Sequence, residues 1–311
     1  MGFFNFKKGN KTESIKQLIE ATLTTSLKDI MTTYVISIDK NEKLKNAANV
    51  IVGEKVSCVV VKEHEKPIAV VTERDFVKKV PFSKEEMDKL FVKDVMSPKL
   101  VTVSSSTTVF DAIIVLIKNN FRKLVVSDNN QTIGIVTQTD FVKLMDKFYD
   151  ELTIQTNDLL TIEKVMTKKV LTIDENEKYS RAKELMDQKD LGSMIITENA
   201  RPVGITTEYD VVAKMVEDPE RLKNITVGEV MTAPLIGIAP EVNIFDANRL
   251  MLKENIRRLP VVKDGQLLGM ITQTDLCRAM YYFLRITLWH IEKQDLKFES
   301  LKKSEPEKIL L

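Results

Sequence analysis

The chain has 311 residues, 43% hydrophobic and 29% charged, with a formal net charge of +1. That length holds two domains of ordinary size and the composition supports a packed core, while the near-zero charge excludes a global field for nucleic acid or membrane but not a local basic patch. Two cysteines, Cys58 and Cys277, cannot build a disulfide framework and point to a reducing, cytoplasmic setting, and no apolar run is long enough to span a membrane.

Taken in chain order, MGFFNFKKGN lacks the apolar core of a signal peptide, and Phe6 stands where N-myristoylation needs Ser or Thr. Residues 13–24 follow, with Ile15, Leu18, Ile19 and Leu23 at amphipathic helical spacing. Residues 1–25 therefore read as an arm with a short helix. Beyond them, one phrase occurs four times: LKDIMT, VKDVMS, IEKVMT and VGEVMT, with Met31, Met96, Met166 and Met231 spaced 65, 70 and 65 residues apart. A second phrase, AVVTERD, GIVTQTD, GITTEYD and GMITQTD, carries Thr72, Thr137, Thr207 and Thr272 at the same spacings. Two phrases in one register define an internal repeat.

The second copy shows the unit most clearly. LVTV at 100–103 reads as a strand, and SSST at 104–107 offers helix N-caps. Val109, Ala112, Ile113, Leu116 and Ile117 then recur at helical spacing, as do Leu44, Ala47, Ala48 and Ile51 in unit 1 and Ile244, Ala247 and Met251 in unit 4. LVVSD, the polar turn DNNQ and IGIV form a hairpin, and Thr137 opens a last helix with Phe141, Leu144 and Met145 on its apolar face. The fold class is α+β, four β-α-β-β-α units at 26–80, 90–148, 161–217 and 226–283. A lone unit of this size buries too little apolar surface. The longer middle step places a linker at 149–160 and predicts two pairs, units 1–2 and 3–4. Residues 284–311 form a C-terminal helix and tail; Tyr281, Tyr282, Phe283, Ile286 and Trp289 supply an aromatic stretch for packing, oligomer contact or a partner.

In this register the h-M start and the G-h-h-T-x-x-D end of each unit resemble the cystathionine-β-synthase (CBS) domain family, over residues 26–283. Unit 1 departs from the pattern with Ala69 in the glycine place. The resemblance implies pseudo-two-fold pairs called Bateman modules. It also implies clefts for adenosyl ligands: AMP, ADP, ATP, S-adenosylmethionine or dinucleoside polyphosphates. Four-unit chains of this kind are similar to the gamma subunit of AMP-activated kinase.

Thr-x-x-Asp has two readings. Thr at an N-cap with an acid three residues on is a capping box that needs no ligand. Alternatively, the helix N-terminus and Thr hydroxyl take phosphate while the Asp takes the vicinal hydroxyls of a ribose. The candidates are Thr72/Asp75, Thr137/Asp140, Thr207/Asp210 and Thr272/Asp275. Basic residues sharpen the second reading. Before the second strand the even units carry Arg122-Lys123 and Arg257-Arg258, where the odd units carry Ser57-Cys58 and Gly192-Ser193. Carried over from the family, a ligand on unit 1 uses Val56, Ser57, Cys58, Thr72 and Asp75 with Arg122 and Lys123 on phosphate. One on unit 3 uses Leu191, Gly192, Ser193, Thr207 and Asp210 with Arg257 and Arg258. Units 2 and 4 are weaker seats. Cationic pairs favour polyphosphates over S-adenosylmethionine, whose sulfonium gains nothing from them.

His64 and His290 lie near no cluster with metal-ligand spacing. No catalytic series, Walker loop or catalytic domain is legible, so the chain reads as a non-catalytic sensor or regulator, expected to form a homodimer and to have a protein partner. Two other readings remain open: a ribosome- or RNA-associated interaction protein, and a nucleotide hydrolase with an unrecognised cleft.

Overall fold

The computed structural model describes residues 19–147 and 160–292, apart from 65, 98, 99 and 130, and leaves the side chains of 287–292 undescribed. The N-terminal arm up to residue 18, most of the expected linker at 149–160, the side chains of Trp289 and His290, and the tail from 293 lie outside what is described.

Each hairpin meets the strand that precedes its helix. In unit 1, β1 (Ser37–Asp39) runs parallel to β2 (Cys58–Glu63), which pairs antiparallel with β3 (Lys66–Thr72). Unit 2 repeats this with β4 (Thr102–Val103), β5 (Lys123–Asp128) and β6 (Gln131–Thr137), and unit 3 with β7 (Thr172–Asp174), β8 (Ser193–Glu198) and β9 (Arg201–Thr207). Unit 4 keeps β10 (Arg258–Lys263) and β11 (Gln266–Thr272), while its first strand shrinks to one parallel bridge, Ile238 to Val261. The left-handed residues repeat as well. Lys55, Asn120, Asp190 and Asn255 follow the first helices, and His64, Asn129, Asn199 and Asp264 sit at the hairpin tips. Asn and Asp tolerate that conformation, so the 65/70/65 register is written in backbone angles too.

The helices, labelled in chain order among those with full bounds, are α1 (Leu44–Gly53), α2 (Glu73–Lys79), α3 (Lys84–Lys89), α4 (Val92–Val95), α5 (Val109–Asn119) and α6 (Gln138–Asp146) in the first half. The second half adds α7 (Ile162–Val165), α8 (Tyr179–Gln188), α9 (Glu208–Glu217), α10 (Ile244–Lys253) and α11 (Gln273–Glu292). The apolar stripes read from the sequence are the buried faces: Leu44, Ala47, Ala48 and Ile51 of α1, and Ile244, Ala247 and Met251 of α10. Two expectations need correction. The N-cap of α5 is Thr108, whose hydroxyl accepts from Asp111 N at 3.1 Å, because Ser104 and Ser105 instead donate to Asp128. In the helical turn at 19–24 the buried residues are Ile19, Ala21 and Thr22, and Leu23 is exposed.

The two recurring phrases touch each other. A Cβ at Gly134 would stand 2.4 Å from Met31 Sδ, one at Gly204 2.4 Å from Met231 Sδ, and one at Gly269 2.7 Å from Met166 Sδ. The opening segment of each unit therefore crosses onto the hairpin of its neighbour, 1 with 2 and 3 with 4. Backbone bridges beside each methionine fix the crossing: Thr32 to Ile135, Ser97 to Val70, Thr167 to Met270 and Thr232 to Ile205. Strand β3 lies against β6, and β9 against β11.

The two pairs then meet like on like. Helix α9 of unit 3 packs on α1 and α2 of unit 1, while α11 and α10 of unit 4 pack on α6 of unit 2. This divides the core in two, one cluster mainly from units 1 and 3 and one mainly from units 2 and 4, with the opening residues of each unit (Leu27, Val92, Val95, Ile162 and Val227) lying in its neighbour's cluster. In the first, Tyr179 is fully buried, stacks on Phe82 with ring centroids 6.1 Å apart, and shares a 3.0 Å hydrogen bond with the buried Thr206 hydroxyl. Tyr179→Phe leaves that hydroxyl unpaired, so urea unfolding is expected to show a loss of about 1–2 kcal/mol. In the second, Cys277 is core, its thiol pushed up to about 12 by burial and then by Asp275. Tyr281 is buried there, tilted against Phe110 at 6.0 Å, so the start of the C-terminal aromatic stretch packs on the modules.

Candidate functional site

All four Thr-x-x-Asp motifs form reciprocal caps. The Asp Oδ2 accepts from the Thr backbone N–H and hydroxyl at 2.9 and 2.6 Å in Thr72/Asp75 and at 2.8 and 2.9 Å in Thr137/Asp140. The distances are 2.7 and 2.8 Å in Thr207/Asp210 and 2.9 and 2.6 Å in Thr272/Asp275. The units differ in the second oxygen. Asp75 Oδ1 accepts from Lys79 Nζ at 3.0 Å and Ser97 Oγ at 2.9 Å, so its carboxylate is fully engaged. No hydrogen bond from a described residue reaches the second oxygen of Asp140 or Asp210. Burial raises the Asp210 and Asp275 carboxyls despite the hydrogen bonds from their threonines.

The units surround a cavity of about 760 Å³. Ser57, Thr72, Arg122, Lys123, Thr137, Leu191, Gly192, Ser193, Arg257, Arg258 and Thr272 border it; Val56, Cys58, Asp75, Asp140, Thr207, Asp210 and Asp275 do not. The unit 1 seat is drawn together with the neighbouring unit, since Lys123 Nζ donates to Ser57 Oγ at 2.8 Å and to Ser57 O at 3.2 Å. The unit 3 seat is divided: Leu191 to Ser193 reach the cavity, Thr207 does not, and Thr272 of unit 4 does. A larger groove of about 910 Å³ between the hairpin tips of units 3 and 4 borders none of these residues.

The arginines take a route the sequence register does not predict. Arg122 Nη1 donates to Glu208 Oε2 of unit 3 at 3.0 Å, and Arg257 Nη2 donates to Glu73 Oε1 of unit 1 at 3.3 Å. Each even-unit arginine thus crosses to the opposite pair, because a buried glutamate there needs a cation. Arg74 Nε also donates to Glu208 Oε1 at 2.7 Å. Burial alone would raise the Glu208 carboxyl, but Arg122 and Arg74 together hold it below the usual carboxylate range. Arg258 differs. It is partly buried, and no hydrogen bond or ion pair from it to a described residue is present. Its guanidinium is pushed down to about 10, by burial first and then by Arg122. At neutral pH it is still a cation, facing the cavity with unused donors.

A family model described as CBS domain matches residues 27–81, 92–147, 162–217 and 227–282. The chain belongs to the CBS domain family. Protein MJ1225 of Methanocaldococcus jannaschii is 28% identical over 61% of this chain and 71% of its own length. Its crystal structure, described as that of a proposed archaeal homologue of γ-AMPK, superposes with a TM-score of 0.72 at 17% identity, covering 82% of this chain and all of that one. Protein MJ1404 of the same organism is 24% identical over 81% of this chain, which spans only 61% of that relative. An uncharacterized conserved protein from Pyrococcus horikoshii shares the fold at a TM-score of 0.56 and 18% identity, covering 82% of this chain and all of its own.

Within these CBS units, the residues missed from sequence are Glu73, Arg74 and Glu208. A signal for two of them was present. The residue after the capping threonine alternates as Glu73, Gln138, Glu208 and Gln273. The glutamines make a neutral version of the same contact between CBS units 2 and 4: Thr274 Oγ1 donates to Gln138 Oε1 at 2.9 Å, and Thr139 Oγ1 to Gln273 Oε1 at 2.8 Å. Charge is thus concentrated where units 1 and 3 meet.

Proposed function

We propose that this CBS protein binds adenine nucleotides (AMP, ADP, ATP or a dinucleoside polyphosphate) in the cavity between its four units and acts as a non-catalytic regulator. The observation that carries this reading is Arg258, a cation on the cavity wall that feels Arg122 and Arg257 as well as Glu208 and Glu73 but has no hydrogen-bonded partner among the described residues. Desolvated cations with unused donors recruit oxyanions. The capping threonines Thr72, Thr137 and Thr272 border the same cavity, their hydroxyls donating to Asp75, Asp140 and Asp275, and bring helix N-termini to its wall. S-adenosylmethionine offers no anionic phosphate to Arg258. Asp75, Asp140 and Asp210 do not border this cavity, so ribose contact with any of them requires its wall to open, and at Asp75 also requires Lys79 or Ser97 to yield.

Ligand that bridges the two pairs shifts their relative populations, and a protein partner reads the difference. Two unpaired, buried cysteines fit a reducing cytoplasm, and a homo-oligomer follows the family pattern. Calorimetry on the full chain tests the ligand class. At least one of AMP, ADP and ATP is expected to bind more tightly than S-adenosylmethionine; tighter binding of S-adenosylmethionine than of all three overturns the reading.

A further inference from the structure

Glu208 and Glu73 occupy equivalent places in units 3 and 1, and both are buried, with 2% and 6% exposure. Both border the central cavity, and each engages an arginine that borders it too. Arg122, Arg258 and Glu208 converge on Gly192: a Cβ there would stand 3.2 Å from a terminal guanidinium nitrogen of each arginine and 3.4 Å from Glu208 Oε2. A phosphoryl group entering at this point finds one uncommitted guanidinium, Arg258. A second or third phosphoryl group that does not reach the lysines of the wall (Lys55, Lys123, Lys143 and Lys169) needs Arg122 or Arg257. Drawing Arg257 away leaves the buried Glu73 without its cation, which is strongly unfavourable, and drawing Arg122 away leaves Glu208 with Arg74 alone. The carboxylates also repel added phosphate charge at short range, where screening is weak.

We propose that Glu208 and Glu73 are specificity determinants, internal anions that engage Arg122 and Arg257, weigh against added phosphate charge in the central cavity and so favour a nucleoside monophosphate over a triphosphate. The proposal rests on the adenine-nucleotide reading for the base and ribose; its phosphate selection does not depend on the base. Glutamine is a sterically sound replacement, since Gln138 and Gln273 occupy the same position in units 2 and 4.

The test titrates the full chain, Glu208→Gln and Glu73→Gln with AMP, ATP and inorganic tripolyphosphate by calorimetry. Wild type is expected to prefer AMP to ATP. Each variant is expected to raise ATP affinity relative to AMP by about tenfold, with tripolyphosphate gaining in parallel. If wild type prefers ATP, or if both variants change AMP and ATP equally, the selection proposal falls and the nucleotide reading stands. If tripolyphosphate gains while no nucleotide binds, the nucleotide reading falls and the selection proposal stands. If nothing binds to any of the three proteins, both fall. Glu73→Gln asks the same question from the opposite pair, should Glu208→Gln not fold.

Discussion

Gly269→Val is expected to lower the unfolding midpoint more than the same change at Gly134 or Gly204, at a cost of about 3 kcal/mol. A Cβ at this position would stand 2.8 Å from the backbone oxygen of Thr167 and 2.7 Å from Met166 Sδ. The sulfur belongs to a flexible side chain and can retreat. The oxygen cannot, because it accepts from Met270 N at 2.9 Å while Thr167 N donates to Met270 O at 2.9 Å. At Gly204 the nearest backbone oxygen, that of Thr232, is 3.1 Å away and Met231 Sδ is the main obstacle at 2.4 Å. Trimming the methionine should therefore restore much of the loss in Gly204→Ala/Met231→Ala and little of it in Gly269→Ala/Met166→Ala. Thermal unfolding of both double-mutant cycles checks this; equal rescue at the two sites would show that backbone crowding is not the cause. Unit 1 shows what a Cβ costs when accommodated. With Ala69 in this place, the crossing bridge from Val70 N to Ser97 O is 3.5 Å, against 3.0 Å for Ile135 N to Thr32 O.

That contact marks where the sequence was legible and where it was not. The spacing of Met31 and Thr72 with their copies revealed four units and two pairs, because register is local information repeated. Why methionine and glycine recur together was hidden, since Met31 meets Gly134 far along the chain and only the folded crossing joins them. The stripes of α1 and α10 were readable because helical periodicity alone selects the buried face. Thr108 was missed because competition for Ser104 and Ser105 comes from Asp128, on a different strand. The candidate cations were legible as an alternation, but their destinations were not. The register places Arg122 beside unit 1, yet the need to neutralise Glu208 sends it to unit 3, and burial of a carboxylate is not a sequence property. The like-on-like meeting of the pairs rests on helix faces far apart in the chain, α9 on α1 and α2 and α10 and α11 on α6, and no local register announces which face meets which.

Arg258→Met separates a ligand-binding role from a structural one. Burial and the Arg122 charge push the Arg258 guanidinium down to about 10, below its ordinary value. For a base, a depressed folded pKa means that the fold disfavours the charged form. At neutral pH the group is charged in both folded and unfolded states, so this cost is fully present there and is relieved only as pH rises through the folded value. Replacing it with methionine removes that cost, and Glu208 keeps Arg74 and Arg122 at 2.7 and 3.0 Å. The unfolding midpoint at pH 7 is therefore expected to stay level or rise. Nucleotide affinity is expected to fall about 10- to 100-fold, the worth of a charge-assisted hydrogen bond to phosphate. Thermal unfolding paired with AMP calorimetry gives both numbers on one sample. A lower midpoint with unchanged affinity would make Arg258 a structural cation and leave the cavity without its anchor.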